Sequence, residues 1–384
     1  MMTYDYIIIG AGFAGAVLAE RIATQLDKKV LILDKRSHIG GNCHDMMDPS
    51  TGVMIHTYGP HLFHTDNIEV YQYLSQFTSW LPYIHKVVAS VDGKVIPIPF
   101  NFNTLYAVYD EDYADLLKHK LIAKYGENKK VPILELKKDK DKDLQALAQY
   151  IYEKIFVNYT AKQWGKKPEE IDEAVTARVP VLTSFDDRYF TDAYQAVPTE
   201  GYTKLFEKML EHPNITIELN SDALKRIKIL DNTLYFDNVP CKAKVIYTGM
   251  IDELFNDKYG ELSYRSIDLK FENIEQEYYQ NHAVVNYPNE FDYTRITEFK
   301  HIHPVSTKKT TILKEYPQPY QRNINTPYYP MFTEQDQDRY RLYANEAEKV
   351  ENLLVLGRLA EYKYYDMDDI VARALEVFED IILS

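Results

Sequence analysis

The first pattern along the chain is an apolar run at residues 4–9 (YDYIII), followed at once by the glycine-rich stretch 10–15 (GAGFAG). A short apolar run closed by glycine predicts a buried strand and a turn. The period then changes: Val17, Leu18, Ile22 and Leu26 recur at helical spacing. Residues 29–33 (KVLIL) return to an apolar run that ends at Asp34. Strand, turn, helix and strand in this order predict a parallel βαβ unit, because parallel neighbours need a crossover between them.

Further on, residues 64–85 carry a helical pattern, and 86–100 read as a hairpin turning at Asp92-Gly93. Residues 111–175 are mostly helical in period, with Leu144, Leu147, Ile151 and Ile155 forming an apolar stripe suited to a core. The charged run 137–143 (KKDKDKD) predicts a solvated loop or a helix start. After Pro198 the segments shorten, with strands expected at 243–248, 283–287 and 310–316. A last short strand, 353–356 (LLVL), precedes Gly357-Arg358. The tail from Asp368 predicts an amphipathic helix, apolar at Val371, Leu375, Phe378 and Ile382 and acidic in its first turn.

The expected architecture is therefore α/β. One nucleotide-binding domain is assembled from residues 1–85, 198–245 and 340–384. A helical insertion spans 103–175, and an antiparallel sheet domain takes 86–102, 176–197 and 246–339.

Composition narrows the chemistry. The formal net charge of −14 argues against a polyanion such as nucleic acid as the main partner, so a phosphate-bearing ligand must be met by a few locally placed Arg or Lys side chains. The two cysteines, Cys43 and Cys241, are too few and too far apart for a disulfide framework or a zinc site, and a reducing, cytoplasmic setting is expected. No basic segment precedes the first apolar run, which breaks after about four residues, so neither a secretion signal nor a membrane span is expected. No metal-ligand spacing is evident.

Gly10, Gly12 and Gly15 form GxGxxG directly between the predicted strand and helix. The turn needs a small residue, a pyrophosphate needs close approach to the backbone, and the helix N-terminus supplies partial positive charge. Asp34 ends the second strand, where ribose hydroxyls are bound, and would repel the 2′-phosphate of NADP. The motif alone leaves NAD and FAD both open.

The continuation Lys35-Arg36-Ser37-His38-Ile39-Gly40-Gly41-Asn42 resembles that of flavin amine oxidases, and Gly357-Arg358 resembles their second FAD contact. Nine further segments, spread over nearly the whole chain, resemble the bacterial UDP-galactopyranose mutases. Among them are Tyr58-Gly59-Pro60-His61, Lys162-Gln163-Trp164-Gly165, Arg178-Val179-Pro180-Val181, Tyr293-Thr294-Arg295-Ile296 and Tyr364-Tyr365-Asp366-Met367.

The resemblance implies a redox-neutral isomerisation of UDP-galactopyranose and UDP-galactofuranose, feeding cell-surface polysaccharide synthesis. Reduced FAD attacks the anomeric carbon and displaces UDP, and the sugar recloses as the other ring. It also implies a homodimer. By motif match, Arg178 and Arg295 clamp the diphosphate, where two fixed guanidinium groups stabilise the charge of departing UDP. Tyr159 and Trp164 line the uridine and sugar pocket; Tyr189, Tyr329 and Tyr364 contact the diphosphate; Asp366 is a carboxylate near the reaction; and Asn286 faces substrate. His61 and His64 lie in the loop near the flavin, with Arg265 on the flavin side. The cofactor contacts implied are Gly10, Gly12, Phe13, Ala14, Asp34, Lys35, Gly41, Asn42, His61, Arg265, Gly357, Arg358, Tyr364, Asp366 and Met367.

Two further expectations attach to residues 176–188. The polar character of this stretch suits a lid that excludes water, and Leu182 stands where the family often carries a second loop arginine. That departure keeps UDP-N-acetylgalactosamine and TDP-linked deoxy sugars open as substrates. A flavin oxidase or desaturase of this architecture would consume an external acceptor such as oxygen and leave the arginine pair without a job, and a non-enzymatic binding protein of related fold would purify colourless.

Overall fold

In the computed structural model, which describes residues 3–164 and 180–383, the N-terminal apolar run is the centre of a five-stranded parallel sheet. The order is Ile215–Glu218, Val30–Leu33, Tyr6–Ile9, Lys244–Tyr247 and Leu353–Val355. Strands from four distant parts of the chain thus join one sheet. Successive side chains alternate between its faces. Ile8, Val30, Ile32 and Ile246 share a core with the helices Phe13–Gln25, Tyr202–Leu210 and Met367–Leu383. Ile7, Ile9, Leu31, Leu33 and Val245 face the other side, against Ile227 and Leu234 of a small antiparallel meander. The strand order reverses between Tyr6–Ile9 and Lys244–Tyr247, and in such sheets ligands bind in the crevice beyond the carboxyl ends at that point.

A second sheet has seven strands in the order Tyr329–Pro330, Tyr264–Ile274, Thr310–Pro319, Arg295–Glu298, Val284–Asn286, Val87–Val91 and Lys94–Ile98. Its outer hairpin turns at Asp92-Gly93, both at positive φ. The pairing of Val284–Asn286 with Val87–Val91 is parallel, so the sheet expected to be antiparallel is mixed at this junction. The physical reason is that the hairpin is distant in sequence and is not tied to its neighbour by a tight turn.

The helical insertion packs on one face of this sheet. Leu144, Leu147, Ile151 and Ile155 are all buried there, sharing a core with Val87, Ala89, Val284 and Leu313. The charged run contains a helix start, with Asp141 accepting from the backbone N–H groups of Asp143 and Leu144. The strand Lys130–Pro132 interrupts the helices and pairs with Pro180–Leu182.

Residues 64–85 differ from expectation. Only Ile68–Leu74 is helical, and it is flanked by the strands Phe63–Thr65 and Trp80–Pro82, both paired to Tyr194–Pro198. The helix is short because Asn67 caps it, and because Trp80 is drawn into the small sheet to stack on Phe63 with ring centroids 4.8 Å apart. Among the described residues no helix is long and apolar enough to cross a membrane.

Candidate active site

A cavity of about 280 Å³ opens at the point where the strand order reverses. Gly10, Gly12, Phe13 and Ala14 line it from the first turn and helix, Asp34 and Lys35 from the end of the second strand, and Gly41 and Asn42 from the following loop. His61, Gly357, Arg358, Asp366 and Met367 line it as expected, whereas Arg265 and Tyr364, also expected as cofactor contacts, do not. Arg36, Ser221, Thr248 and Tyr328 also line it; Arg36 and Tyr328 lie within segments that carry the family resemblance, whereas Ser221 and Thr248 do not.

The glycines divide by what they meet. A Cβ on Gly10 would fall 2.1 Å from the Thr248 hydroxyl, and one on Gly15 would fall 2.0 Å from the Gly10 carbonyl oxygen. Both are required by the fold itself. A Cβ on Gly12 would lie at an ordinary 3.6 Å from the Gly41 Cα, at φ −83°, so nothing in the protein demands glycine there. A bare backbone at a helix N-terminus lining a cavity fits the close approach of a pyrophosphate. Asp34 accepts the N–H groups of Ala11 and Arg36, each at 2.9 Å, which fixes its carboxylate at the rim where a ribose would lie.

Arg358 supplies positive charge on the opposite wall. Its guanidinium donates to the carbonyl oxygens of Tyr328 and Tyr365 and lies 4.9 Å from the Tyr329 ring and 5.2 Å from the Tyr364 ring. Among the described residues no carboxylate neutralises it. His61 lies nearby with its Nδ1 2.8 Å from the Gly59 carbonyl oxygen. Nδ1 therefore carries the ring proton and Nε2 is left as an acceptor. Burial, with the charge of Arg358, pushes its pKa down to about 4, so the ring is neutral at pH 7.

The remaining polar residues converge by sheet register. Asn286 pairs with Arg295, and Arg295 with Glu315; two strands away Arg265 pairs with Tyr329. Because cross-strand partners point the same way and alternate residues of a strand share a face, all five project from one face. The helix Asn158–Trp164 covers that face. Its Tyr159 hydroxyl accepts from Arg295 Nη2 at 2.6 Å and from Gln163 at 3.1 Å. Arg295 Nε stands 3.5 Å from Glu315 Oε2. Burial disfavours the charge on Arg295, but Glu315 and the neighbouring tyrosines outweigh it and hold its pKa above the usual value. Burial raises the pKa of Glu315, against the pull of Arg295.

This row carries buried polar atoms without a hydrogen-bond partner: Asn286 Oδ1, Arg295 Nε and Glu315 Oε1. Such atoms are costly in a finished core and suit a surface shaped for a polar ligand. Tyr329 links the row to the cavity, because its ring stacks on Tyr364 and lies beneath Arg358.

His64 does not line the cofactor cavity. It stacks on Phe190 at 3.6 Å and approaches Asp192 at 3.3 Å, because its strand pairs with Tyr194–Pro198. Tyr189 and His85 join it: Tyr189 donates its backbone N–H to the His85 carbonyl, and their rings meet at 5.6 Å. Burial, with Arg295 and His64 close by, pushes His85 down to about 3. Arg178 lies outside the described residues, and of Trp164 only the backbone, at the helix end, is described.

Of the stretch expected to act as a lid, the structure describes residues 180–188. Pro180–Leu182 is held in a strand pair, and the Leu182 side chain is buried. Beyond it, Asn101 and Asn103 each bind the Asp187 carboxylate, and Arg188 binds Asp186. Residues 180–188 are therefore anchored, and 176–179 lie outside the described residues. Sequence reasoning missed Glu315 and His85, whose roles arise from pairing with distant strands and loops.

The sequence model of the UDP-galactopyranose mutase family matches residues 154–364, and that of an NAD(P)-binding Rossmann-like domain matches 8–77. The UDP-galactopyranose mutase of Mycoplasma genitalium is 36% identical over 388 residues, covering 99% of this chain and 95% of that protein. The dTDP-fucopyranose mutase of Escherichia coli is 34% identical over 374 residues, 96% of each chain. A crystal structure of reduced UDP-galactopyranose mutase shares the fold with a TM-score of 0.72 at 16% identity, over 100% of this chain and 95% of that one. With likeness running the full length of the chain, the protein belongs to the UDP-galactopyranose mutase family, isomerases that interconvert the pyranose and furanose forms of a sugar nucleotide.

Proposed function

We propose that the chain interconverts UDP-galactopyranose and UDP-galactofuranose, with FAD held in the cavity at the sheet's switch point and active in its reduced form. The observation that carries this reading is the row of buried polar atoms left without a hydrogen bond on Asn286, Arg295 and Glu315. It lies on the face that leads through Tyr329 to the unneutralised guanidinium of Arg358. Such a path suits an elongated anionic ligand lying against a dinucleotide.

Gly10, Gly12, Asp34, Gly41, Asn42, Arg358 and Met367 would hold the dinucleotide, with Lys35, Phe13, Ala14 and Gly357 forming its walls. Reduced FAD, when bound, supplies the nucleophile for the anomeric carbon. The protein's own contribution is orientation and electrostatics. Arg295, held charged by Glu315, steadies the diphosphate as negative charge develops on departing UDP, and Arg178 is assigned the matching role. Tyr159 orients Arg295, and Tyr329, Tyr364 and Tyr189 offer hydroxyls to the diphosphate. His61, neutral with a free Nε2, accepts a hydrogen bond on the flavin side without adding charge. Asp366, Arg265 and His64 complete the site, and the enzyme acts as a dimer in the cytoplasm, supplying cell-surface polysaccharide.

A dTDP-linked deoxy sugar is the second reading, favoured by the 34% identity to the dTDP-fucopyranose mutase. The test is an anaerobic assay of the purified protein with UDP-galactofuranose, with and without dithionite, following UDP-galactopyranose by chromatography. Conversion only with reduced flavin supports the proposal. A yellow protein inert toward UDP-galactofuranose but active on the dTDP-sugar selects the second reading, and inertness toward both overturns each.

A further inference from the structure

Beneath the loop that presents His61 to the cavity, two buried imidazoles meet. His56 is fully buried and His303 nearly so, and their Nε2 atoms are 3.3 Å apart. The opposite nitrogen of His56, Nδ1, lies 2.9 Å from the backbone nitrogen of His61. The rings come from elements distant in sequence: His56 ends the strand Met54–His56, and His303 follows the short helical turn Phe299–His301. Tyr202 and Phe299 pack against the His56 ring, with centroids 5.6 and 5.4 Å away.

Hydrogen-bond roles fix the protons. A backbone N–H can only donate, so His56 Nδ1 must present a lone pair to His61. A neutral His56 then carries its proton on Nε2 and donates it to His303 Nε2, which must accept. His303 is left with its proton on Nδ1. Burial, with the neighbouring imidazoles His303 and His61, holds the pKa of His56 well below the usual value, in keeping with a neutral ring. If His303 offered no acceptor, the buried Nε2–H of His56 would be orphaned. The other tautomer gives no relief, because its Nδ1–H would oppose the His61 N–H donor to donor, so the cost falls on the arrangement that anchors the His61 loop.

We propose that His303 is a positioning residue: by accepting from His56 it completes the pair of hydrogen bonds that holds the tautomer anchoring the His61 backbone, and so presets the cofactor wall. This rests on the reading that a flavin dinucleotide occupies the cavity beside His61. His303 does not line the cavity, and its hydrogen bond to His56 is the link through which it acts.

Two variants separate the hydrogen bond from mere filling of space. His303→Gln retains an acceptor for His56, whereas His303→Leu fills the site without one. Apoprotein of each is titrated with FAD, following flavin fluorescence, and the absorption spectrum of the bound flavin is recorded. The expected result is a Kd within about threefold of wild type for His303→Gln and weakened by about tenfold or more for His303→Leu, the cost of an orphaned buried donor. A shifted flavin absorption band is expected in the leucine variant only. Equal affinity in all three proteins overturns the proposal, as does a glutamine variant as weak as the leucine one. Imidazole nitrogen NMR of the wild-type apoprotein tests the lock without any substitution: a proton on Nε2 of His303, or on Nδ1 of His56, overturns it. A wild-type protein that binds no FAD refutes the cofactor reading, and the NMR pattern then still decides the tautomer lock.

Discussion

Arg295 and Glu315 stand directly opposite each other on neighbouring strands, Nε 3.5 Å from Oε2, with the glutamate side chain only 7% exposed. Removing the arginine therefore does two things at once. Arg295→Ala deletes a preorganised charge from the substrate face and strands a buried carboxylate. Turnover is expected to fall by about 10²–10³-fold, and stability by about 3 kcal/mol, with bound FAD retained. The double variant Arg295→Ala/Glu315→Gln should regain most of the thermal stability and none of the turnover. A double variant that melts as low as the single one would show that the stranded carboxylate is not the source of the loss.

The two inner glycines of the first turn should respond oppositely to a methyl group. In Gly15→Ala the new carbon would meet a backbone oxygen at 2.0 Å, and the apoprotein is expected to lose about 1–3 kcal/mol or more through overpacking. In Gly12→Ala it meets only ordinary contacts, so the apoprotein should melt within a degree or two of wild type. Its affinity for FAD should nevertheless fall at least tenfold, because the methyl group occupies the space of the pyrophosphate. Thermal melts paired with FAD titrations decide both, and unaltered FAD binding by Gly12→Ala would remove the dinucleotide from this turn.

The contrast between these two pairs shows what the sequence made legible. Gly10, Gly12, Gly15 and Asp34 sit within one βαβ unit, so local periodicity placed them together. Arg295 was legible only through its motif. Glu315 was not legible, because a single acid in a strand carries no local signal and its partner is set by register with a strand some twenty residues away. The available hint was the charged pair Lys314-Glu315 inside the strand-like segment 310–316. His85 was hidden by the helical reading of 64–85: the apolar spacing there is compatible with a helix, but packing of Trp80 onto Phe63 selects two strands instead. Over 180–188, polar composition does not reveal that Asn101 and Asn103 both donate to the Asp187 carboxylate, because these partners lie some eighty residues away.

Tyr159 offers a finer probe of the same face. Its hydroxyl is the acceptor for Arg295 Nη2 at 2.6 Å, and burial raises its pKa, so it stays protonated. Tyr159→Phe keeps the ring and deletes only that acceptor. The guanidinium then loses one of the contacts that aim it, and kcat/KM is expected to fall by about tenfold, the worth of one hydrogen bond to a charged group. The FAD spectrum should not change. Steady-state kinetics equal to wild type would mean that Glu315 alone positions Arg295.

The buried histidines predict how stability depends on pH. His61 titrates at about 4 in the folded protein and His85 at about 3, against 6.5 when unperturbed, in each case chiefly because burial disfavours the charged ring. Between those values and 6.5 the unfolded chain binds a proton at each site and the folded chain does not. Stability therefore rises with pH through this window, is fully present above about 6.5, and is lost progressively as pH falls toward 4 for His61 and toward 3 for His85. Near pH 5 each such site contributes a slope of about 1.4 kcal/mol per pH unit. His61→Gln keeps a polar side chain but cannot take up a proton, so its denaturant-unfolding free energy should depend on pH less steeply than that of wild type, by about one proton. Equal slopes for the two proteins between pH 4.5 and 6 would mean that His61 is already protonated in the folded state, and the neutral acceptor assigned to the flavin side would have to be abandoned.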